Sequence, residues 1–300
     1  MAKSKNGGTR AYIRGRIGSD VYSVGKNSKG EKQQVVRSLA ETVANPRTSS
    51  QMFGRMVMST LMQAVHAFKP IIDHSFDGFP KGQPSISEFI RRNYALVKAD
   101  AIANPASGNA FGLNLYGEKG LKRGNYVVSA GSAVLPSTMN GGQGGSSLNV
   151  SVGATPTYGT LKAAWLPEEG EYVTIIKLEQ GSTYENDGII NVSFARLSLK
   201  AGLAETTALT AENAAAAFDI EGDFTPSFAL EGTTLQIRGN VNDEDAFYGT
   251  QWTIVTRKEN GAFIHSDCAI TLTSGAKFAA DVALPTYPVG SEMFLNGGDL

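Results

Sequence analysis

Asn45-Pro46-Arg47-Thr48-Ser49-Ser50-Gln51 divides this chain: the residues before it are basic and strand-like, and those after it turn to helical spacing. Thr48 and Gln51 stand at capping-box spacing, where the hydroxyl accepts from a free backbone N–H and the amide reaches back. Phe53, Met56, Val57, Leu61, Ala64, Val65 and Phe68 then recur with helical period. Pro70 is expected to end this helix, because it pushes residue 69 out of the α region. Ser85 and Glu88 have the same capping-box spacing and predict a second helix. Its apolar stripe would be Phe89, Ile90, Tyr94, Val97 and Ala101, and Asn104-Pro105 would stop it.

Toward the N-terminus, residues 1–11 read as a flexible basic arm. Ile13, Ile17, Val21 and Val24 alternate with polar residues and Gly, Lys26–Gly30 is a turn cluster, and Gln33–Arg37 is a second short strand. The pattern predicts a β-hairpin, which is marginal in water unless something covers it. Gly25–Lys32 superficially resembles a phosphate loop, but Glu31 stands where Lys must follow the second Gly. A hairpin turn fits it better.

Past residue 105 the period changes to two. Strands are predicted over 113–116, 126–130, 148–152, 160–164, 172–178, 189–199, 227–230, 234–238, 251–256, 263–265 and 269–272. Residues 141–147 read as a flexible Gly-rich loop, and Lys258-Glu259-Asn260-Gly261 as a tight hairpin turn. The Ala-rich stretch 211–218 reads as a joint between two β domains near residue 205, with one short helix as the alternative. The expected fold class is therefore α+β, mostly β. A basic N-terminal hairpin and two helices fill 12–110, followed by one or two immunoglobulin-like β-sandwich domains over 111–205 and 206–300.

Of the 300 residues 41% are hydrophobic and only 18% charged, and the net charge is −1. That balance hides an asymmetry. Residues 1–55 hold 11 Lys/Arg against 3 Asp/Glu (+8), while residues 125–300 hold 8 against 20 (−12). Cys268 is the single cysteine, so no intrachain disulfide forms. The first residues lack the apolar core of a secretory signal, and no run of about 18 apolar residues predicts a membrane span.

His66, His74 and His265 have no partners at metal-ligand spacing, so all three are expected to be structural, with no metal and no cofactor. No Gly-x-Ser-x-Gly elbow is present, and no catalytic residue is assigned. Residues 241–245 and Glu168, Glu169 and Glu171 read as solvated acidic turns. The basic front is the candidate contact surface. Lys3, Lys5, Arg10, Arg14, Arg16, Lys26, Lys29, Lys32, Arg37, Arg47 and Arg55 would meet an acidic surface of a neighbouring copy or, alternatively, phosphates, with Tyr12 and Tyr22 stacking on bases. Trp165, Trp252, Tyr184 and Tyr248 are the aromatic candidates for a carbohydrate-binding surface, although Trp252 sits in an alternating strand and is expected in the core.

One set of motifs goes further. Gly15-Arg16-Ile17-Gly18-Ser19-Asp20-Val21, then Val36-Arg37-Ser38, then Asn45-Pro46-Arg47-Thr48 with Gln51 and Arg55, resembles the start of a family of uncharacterised proteins of Bacteroidetes and their phages and prophages. Ser87–Ala99, with Asn93-Tyr94 at its middle, is similar to that family's second helix, and Tyr126–Gly131 to its first β segment. Thr253–Ser266 resembles a late hairpin of the family, with Thr256 and His265 departing from its Ser and Arg. The front match covers residues 12–105. The family brings no activity and no catalytic residues; what the resemblance implies is a phage-encoded, multi-copy structural protein. The expectation is thus a non-enzymatic virion or assembly component. It would partner itself or other virion proteins, be assembled in a bacterial cytoplasm and reside in the virion, with a cytoplasmic location as the alternative. Nucleic-acid binding through the basic segment, or a carbohydrate-binding surface module, is the alternative.

Overall fold

The computed structural model describes residues 3–4, 13–26, 30–39, 49–103, 124–141, 143–145, 147–180, 190–239 and 251–272. The chain forms two units, Met1–Pro46 and Arg47–Leu300.

The first unit is an antiparallel sheet of β1 (Lys3–Ser4), β2 (Ile13–Ile17), β3 (Asp20–Lys26) and β4 (Lys32–Ser38), in that order. The expected hairpin is its β3–β4 half, closed by the pair Lys26↔Lys32 around the segment that resembles a phosphate loop. A second tight turn at Gly18-Ser19 separates β2 from β3. Gly18 has φ +61°, a left-handed conformation that glycine adopts without a Cβ penalty.

In the second unit, α1 (Ser49–Ile72) and α2 (Gln83–Ala103) form one layer. Val57, Leu61, Ala64, Val65 and Phe68 of α1 are buried as their spacing requires. Pro70 does not end α1; it lies in the last turn. There its missing N–H deprives only the carbonyl of the exposed His66, which water can reach. The helix α2 begins before Ser85: the Gly82 carbonyl accepts from Ile86 N–H at 3.1 Å, and the Gly82 N–H donates to Asp73 Oδ1 at 3.2 Å. Ser85 and Glu88 therefore form no capping box. The Ser85 hydroxyl turns back to the Pro80 carbonyl at 3.3 Å, and the Glu88 carboxylate, buried, binds Arg91 and Arg92 one turn on at 2.6–2.7 Å. The buried stripe of α2 runs Phe89, Asn93, Val97, Ala101, while Tyr94 is 38% exposed.

A central antiparallel sheet forms the next layer. Its order is β11 (Phe218–Gly222), β10 (Ile190–Leu199), β9 (Tyr172–Gln180), β14 (Gln251–Glu259) and β15 (Ala262–His265), with β7 (Gln143–Gly145) also on β14. The β14–β15 turn places Asn260 at φ 51° and Gly261 at φ 80°, as an Asn-Gly hairpin turn demands. The third layer is a sheet of β12 (Ser227–Glu231), β13 (Thr234–Arg238), β8 (Leu148–Ser151) and β6 (Met139–Gly141). A two-stranded sheet of β5 (Gly124–Ser129) and β16 (Cys268–Leu272) lies with the helices.

Alternation along the central strands assigns their faces. Ile176, Leu178, Phe194, Trp252 and Ile254 join the helices, Tyr126 and Ile270 in one core. Val173, Ile175, Ala195, Leu197 and Val255 join Leu148, Val150, Leu235 and Ile237 in the other. The described fold is α+β and mostly β, as expected. Two sheets do stack, but helices cover the outer face of one of them, where an immunoglobulin-like sandwich meets solvent.

Residue 205 separates no two sheets: β8 pairs with β13 and β9 with β14 across it. Residues expected as strand at 160–164 belong to α3 (Tyr158–Ala164), because Thr157 and Thr160 cap each other reciprocally. The Ala-rich stretch folds as α4 (Ala211–Ala214) and a 3-10 turn over 215–217, started by the same device at Thr210 and Asn213. The Gly-rich 141–147 region contributes to β6 and β7 rather than a free loop. The strand predicted at 113–116 lies outside the described residues.

The α2–β5 contact is specific. Buried Asn93 accepts from Val127 N–H at 2.7 Å and donates to the Val127 carbonyl at 2.9 Å, so its amide imitates a neighbouring strand. Asn93→Leu leaves both groups of Val127 unpaired and is expected to cost about 2–4 kcal/mol, read as a fall in the urea midpoint with an unchanged slope. A variant within about 0.5 kcal/mol of wild type shows that the clasp does not stabilise the fold.

Candidate functional site

Two surfaces stand out, one in each unit. In the N-terminal sheet the register sorts the side chains. Arg16, Val21 and Arg37 align across β2, β3 and β4, and Arg14 lies two residues from Arg16, so three arginines share one face. Tyr22 and Val36 align on the opposite face, which Ile17 and Val24 also occupy. Among the described residues of this sheet none is buried, and Ile17 and Val36 are 50% and 51% exposed. One face thus carries the three arginines beside Val21 and Val35, the other carries Ile17, Tyr22, Val24 and Val36 beside Asp20, Lys32 and Gln34, and both meet solvent within this unit. Arg16 Nε donates to the Gly18 carbonyl at 2.8 Å, which ties the β2–β3 turn to the cationic face.

Other sequence candidates lie elsewhere. Lys3 is in β1 and Lys26 in β3. Arg55 and Gln51 are exposed on α1, in the other unit. Lys5, Arg10, Lys29, Arg47, Thr48, Tyr12, Tyr184, Tyr248 and residues 241–245 lie outside the described residues.

The second surface is a cleft of about 800 Å³ in the second unit. It exists because α1 ends before the central sheet does. Three of the carbonyls that end α1 have defined partners. Lys69 O accepts from Asp73 N–H at 3.2 Å, Pro70 O from Arg196 Nη2 at 2.5 Å, and Ile71 O from His74 N–H at 3.2 Å and from the Ser75 hydroxyl. Beyond that point the helix-side face of the sheet turns polar. Glu221, Arg196 and Thr174 align in one row. Asp219 pairs with Ser198 and, in continuing register, Tyr172 with Thr256 and Thr256 with His265 in the next. The α1–α2 loop forms the opposite wall with Asp73, His74, Phe79 and Lys81.

Arg196 is the most constrained group here. Its guanidinium lies 4.9 Å from the Phe194 ring centroid and 5.7 Å from that of Tyr172, with Glu221 3.8 Å from Nη1. Its Nε is buried with no hydrogen-bond partner among the described residues. Asp77 anchors the base of the cleft: Oδ1 accepts from His265 N–H at 2.7 Å, and Oδ2 from Ser132 N–H at 2.8 Å. Gly131 is required at this point, since a Cβ would stand 2.2 Å from Asp77 Oδ1 and 2.4 Å from the His265 carbonyl.

His74 and His265, distant in sequence, line this one cleft, whereas His66 is exposed on α1. His265 Nδ1 and the Thr256 hydroxyl share a 3.0 Å hydrogen bond. Among the described residues no group of three His, Cys, Asp or Glu side chains is arranged to hold a metal. The acidic residues before β9 are not all solvated. Glu171 is buried and accepts from Lys258 N–H at 2.9 Å, fixing the β9–β14 end. Trp252 is in the core as expected, and Trp165 is buried edge-on against Phe218 at 4.9 Å, so neither offers a surface platform. Sequence reasoning missed Phe79, Tyr172, Arg196 and Phe263; only the strand register reveals the row they border. No helix among the described residues is long and apolar enough to cross a membrane. Comparison with protein-family models, curated proteins and solved structures gave no match.

Burial lowers the His265 pKa to about 4 from 6.5, with His74 adding to the effect and Asp77 opposing it. His74 is lowered too, by burial first and then by Arg196 and Lys81. A folded value below the unfolded one means that the unfolded chain takes up the proton first. Stability is therefore full above about pH 6.5 and declines as the pH falls toward 4, by at most about 3 kcal/mol for His265. Urea midpoints at about pH 7.5 and 4.5 are expected to fall less in His265→Gln than in the wild-type chain. An equal fall in both contradicts the assignment.

Proposed function

We propose that this chain is a non-enzymatic structural or assembly protein of a bacteriophage or prophage particle, docking through its basic N-terminal sheet on an acidic surface of a neighbouring copy. The observation that carries the reading is that sheet. A four-stranded sheet with neither face buried within its own unit gains little from the hydrophobic effect, so a partner must supply the missing cover. Ile17 and Val36, half exposed on the face opposite the arginines, support burial against protein. The arginines at positions 14, 16 and 37 select an acidic surface, and residues 125–300 of a second copy carry −12. The particle context rests on the resemblance of residues 12–105 to the Bacteroidetes and phage family. Localisation in the virion, after assembly in a bacterial cytoplasm, follows from the same reading.

Nucleic-acid binding is the second reading, favoured by the three arginines on one face. Both readings predict salt sensitivity, so salt alone does not separate them. Light scattering after size exclusion is expected to show self-association at about 50 mM salt that weakens at about 500 mM. Arg14→Glu/Arg16→Glu/Arg37→Glu should abolish it. Filter binding with DNA and RNA on the same two proteins separates the readings: a monomeric chain whose nucleic-acid retention is lost in the variant overturns self-docking. Peptides of this chain in mass spectra of purified particles are expected, and their absence rejects the virion assignment.

A further inference from the structure

We propose that the cleft at the end of the central sheet is a binding site for a neutral saccharide. The proposal is independent of the N-terminal sheet and of the assembly role.

Charge balance comes first. The cleft presents carboxylates at Asp73, Asp219 and Glu221 and cations at Lys81 and Arg196, and His74 also lines it. An anion seated on Arg196 meets the carboxylates of β11, and a cation seated on those carboxylates meets Arg196 and Lys81. A ligand rich in hydroxyls suits both sets, because each hydroxyl donates to a carboxylate and accepts from a guanidinium or ammonium. The Ser198 hydroxyl adds a further donor and acceptor on the floor.

The walls supply the apolar half. Phe79 is 40% and Phe263 48% exposed, among the most exposed aromatic rings of the described residues of the second unit. Tyr172 lies between floor and rim, its ring centroid 6.4 Å from that of Phe263 at an angle of 50°. Open rings beside fixed polar groups match a pyranose, whose C–H face packs on an aromatic ring while its edge hydroxyls bond outward.

Pre-organisation is the third argument. The Pro70 carbonyl and the flanking Phe194 and Tyr172 rings hold Arg196, and the sheet register fixes Asp219 opposite Ser198. The groups facing the ligand lose little freedom when it arrives. A cleft of about 800 Å³ has room for a short oligosaccharide.

The test uses the full chain on an array of neutral oligosaccharides built from glucose, galactose, mannose and N-acetylglucosamine, with sialylated and uronic-acid oligosaccharides beside them. Titration calorimetry follows on the best neutral binder. Binding to a neutral glycan is expected, weakened about tenfold or more in Phe79→Ala and in Phe263→Ala. Both side chains are exposed, and an unchanged urea midpoint confirms that the variants fold. Charge reversal of Arg14, Arg16 and Arg37 should leave glycan binding intact, which separates this result from failure of the assembly reading. No neutral glycan bound at millimolar concentration, a stronger preference for the acidic glycans, or affinity untouched in both phenylalanine variants overturns the proposal.

Discussion

The second unit depends on one pairing, Tyr172–Lys177 of β9 against Gln251–Thr256 of β14. Between Val173 and Ile176 and between Trp252 and Val255 these strands carry apolar residues or Thr on both faces, and each face is needed: Ile176, Trp252 and Ile254 close the helical core, and Val173, Ile175 and Val255 close the sheet core. Because the side-chain period is two, a slip of one residue would exchange the two faces and disrupt both cores together. That double penalty makes the register specific across a long separation in sequence. Buried Glu171 and the Lys258 N–H it accepts lock the end of the same pair.

What happens at that end explains the cleft. Inside the layers the helix-side face of the sheet is apolar. Where α1 stops, Thr174, Ser198, Thr256 and His265 replace the apolar residues, and Arg196 both closes the helix C-terminus and forms the floor. A cation at a helix C-terminus is favoured by the unpaired carbonyls there. Asp77 then ties the α1–α2 loop to β15 and to the segment after β5, so the wall and the floor are held by one carboxylate.

The N-terminal sheet follows a different logic. It has the hydrogen bonds of a sheet without a hydrophobic interior of its own, and Arg14, Arg16 and Arg37 lie on the face opposite Ile17, Tyr22 and Val36. Such an element is stable in proportion to what covers it. Residues 125–300, by contrast, carry a net charge of −12.

Local signals were legible in the sequence. The α1 stripe, the Asn260-Gly261 turn, the period-two strands of the core and the charge asymmetry all depend on neighbours within one or two turns of chain. Errors arose where a local rule met a longer-range one. The apolar spacing of α2 puts Tyr94 in the buried stripe, yet Asn93 is the buried contact, because its amide pairs with the Val127 backbone. Ser85 and Glu88 have the spacing of a cap, but Gly82 starts the helix and Glu88 spends its carboxylate on Arg91 and Arg92. Residues 160–164 alternate like a strand, but the Thr157–Thr160 cap makes them helical. Composition and period thus determined the mostly-β α+β class, the two long helices, most of the strands and the two-signed charge. Only the tertiary structure decided that strands on both sides of residue 205 share sheets, and that His74, Arg196 and His265 line one cleft. Periodicity reports which face of an element is buried, whereas the order of strands depends on burying both faces of β9 and β14 at once, a condition that no local window contains.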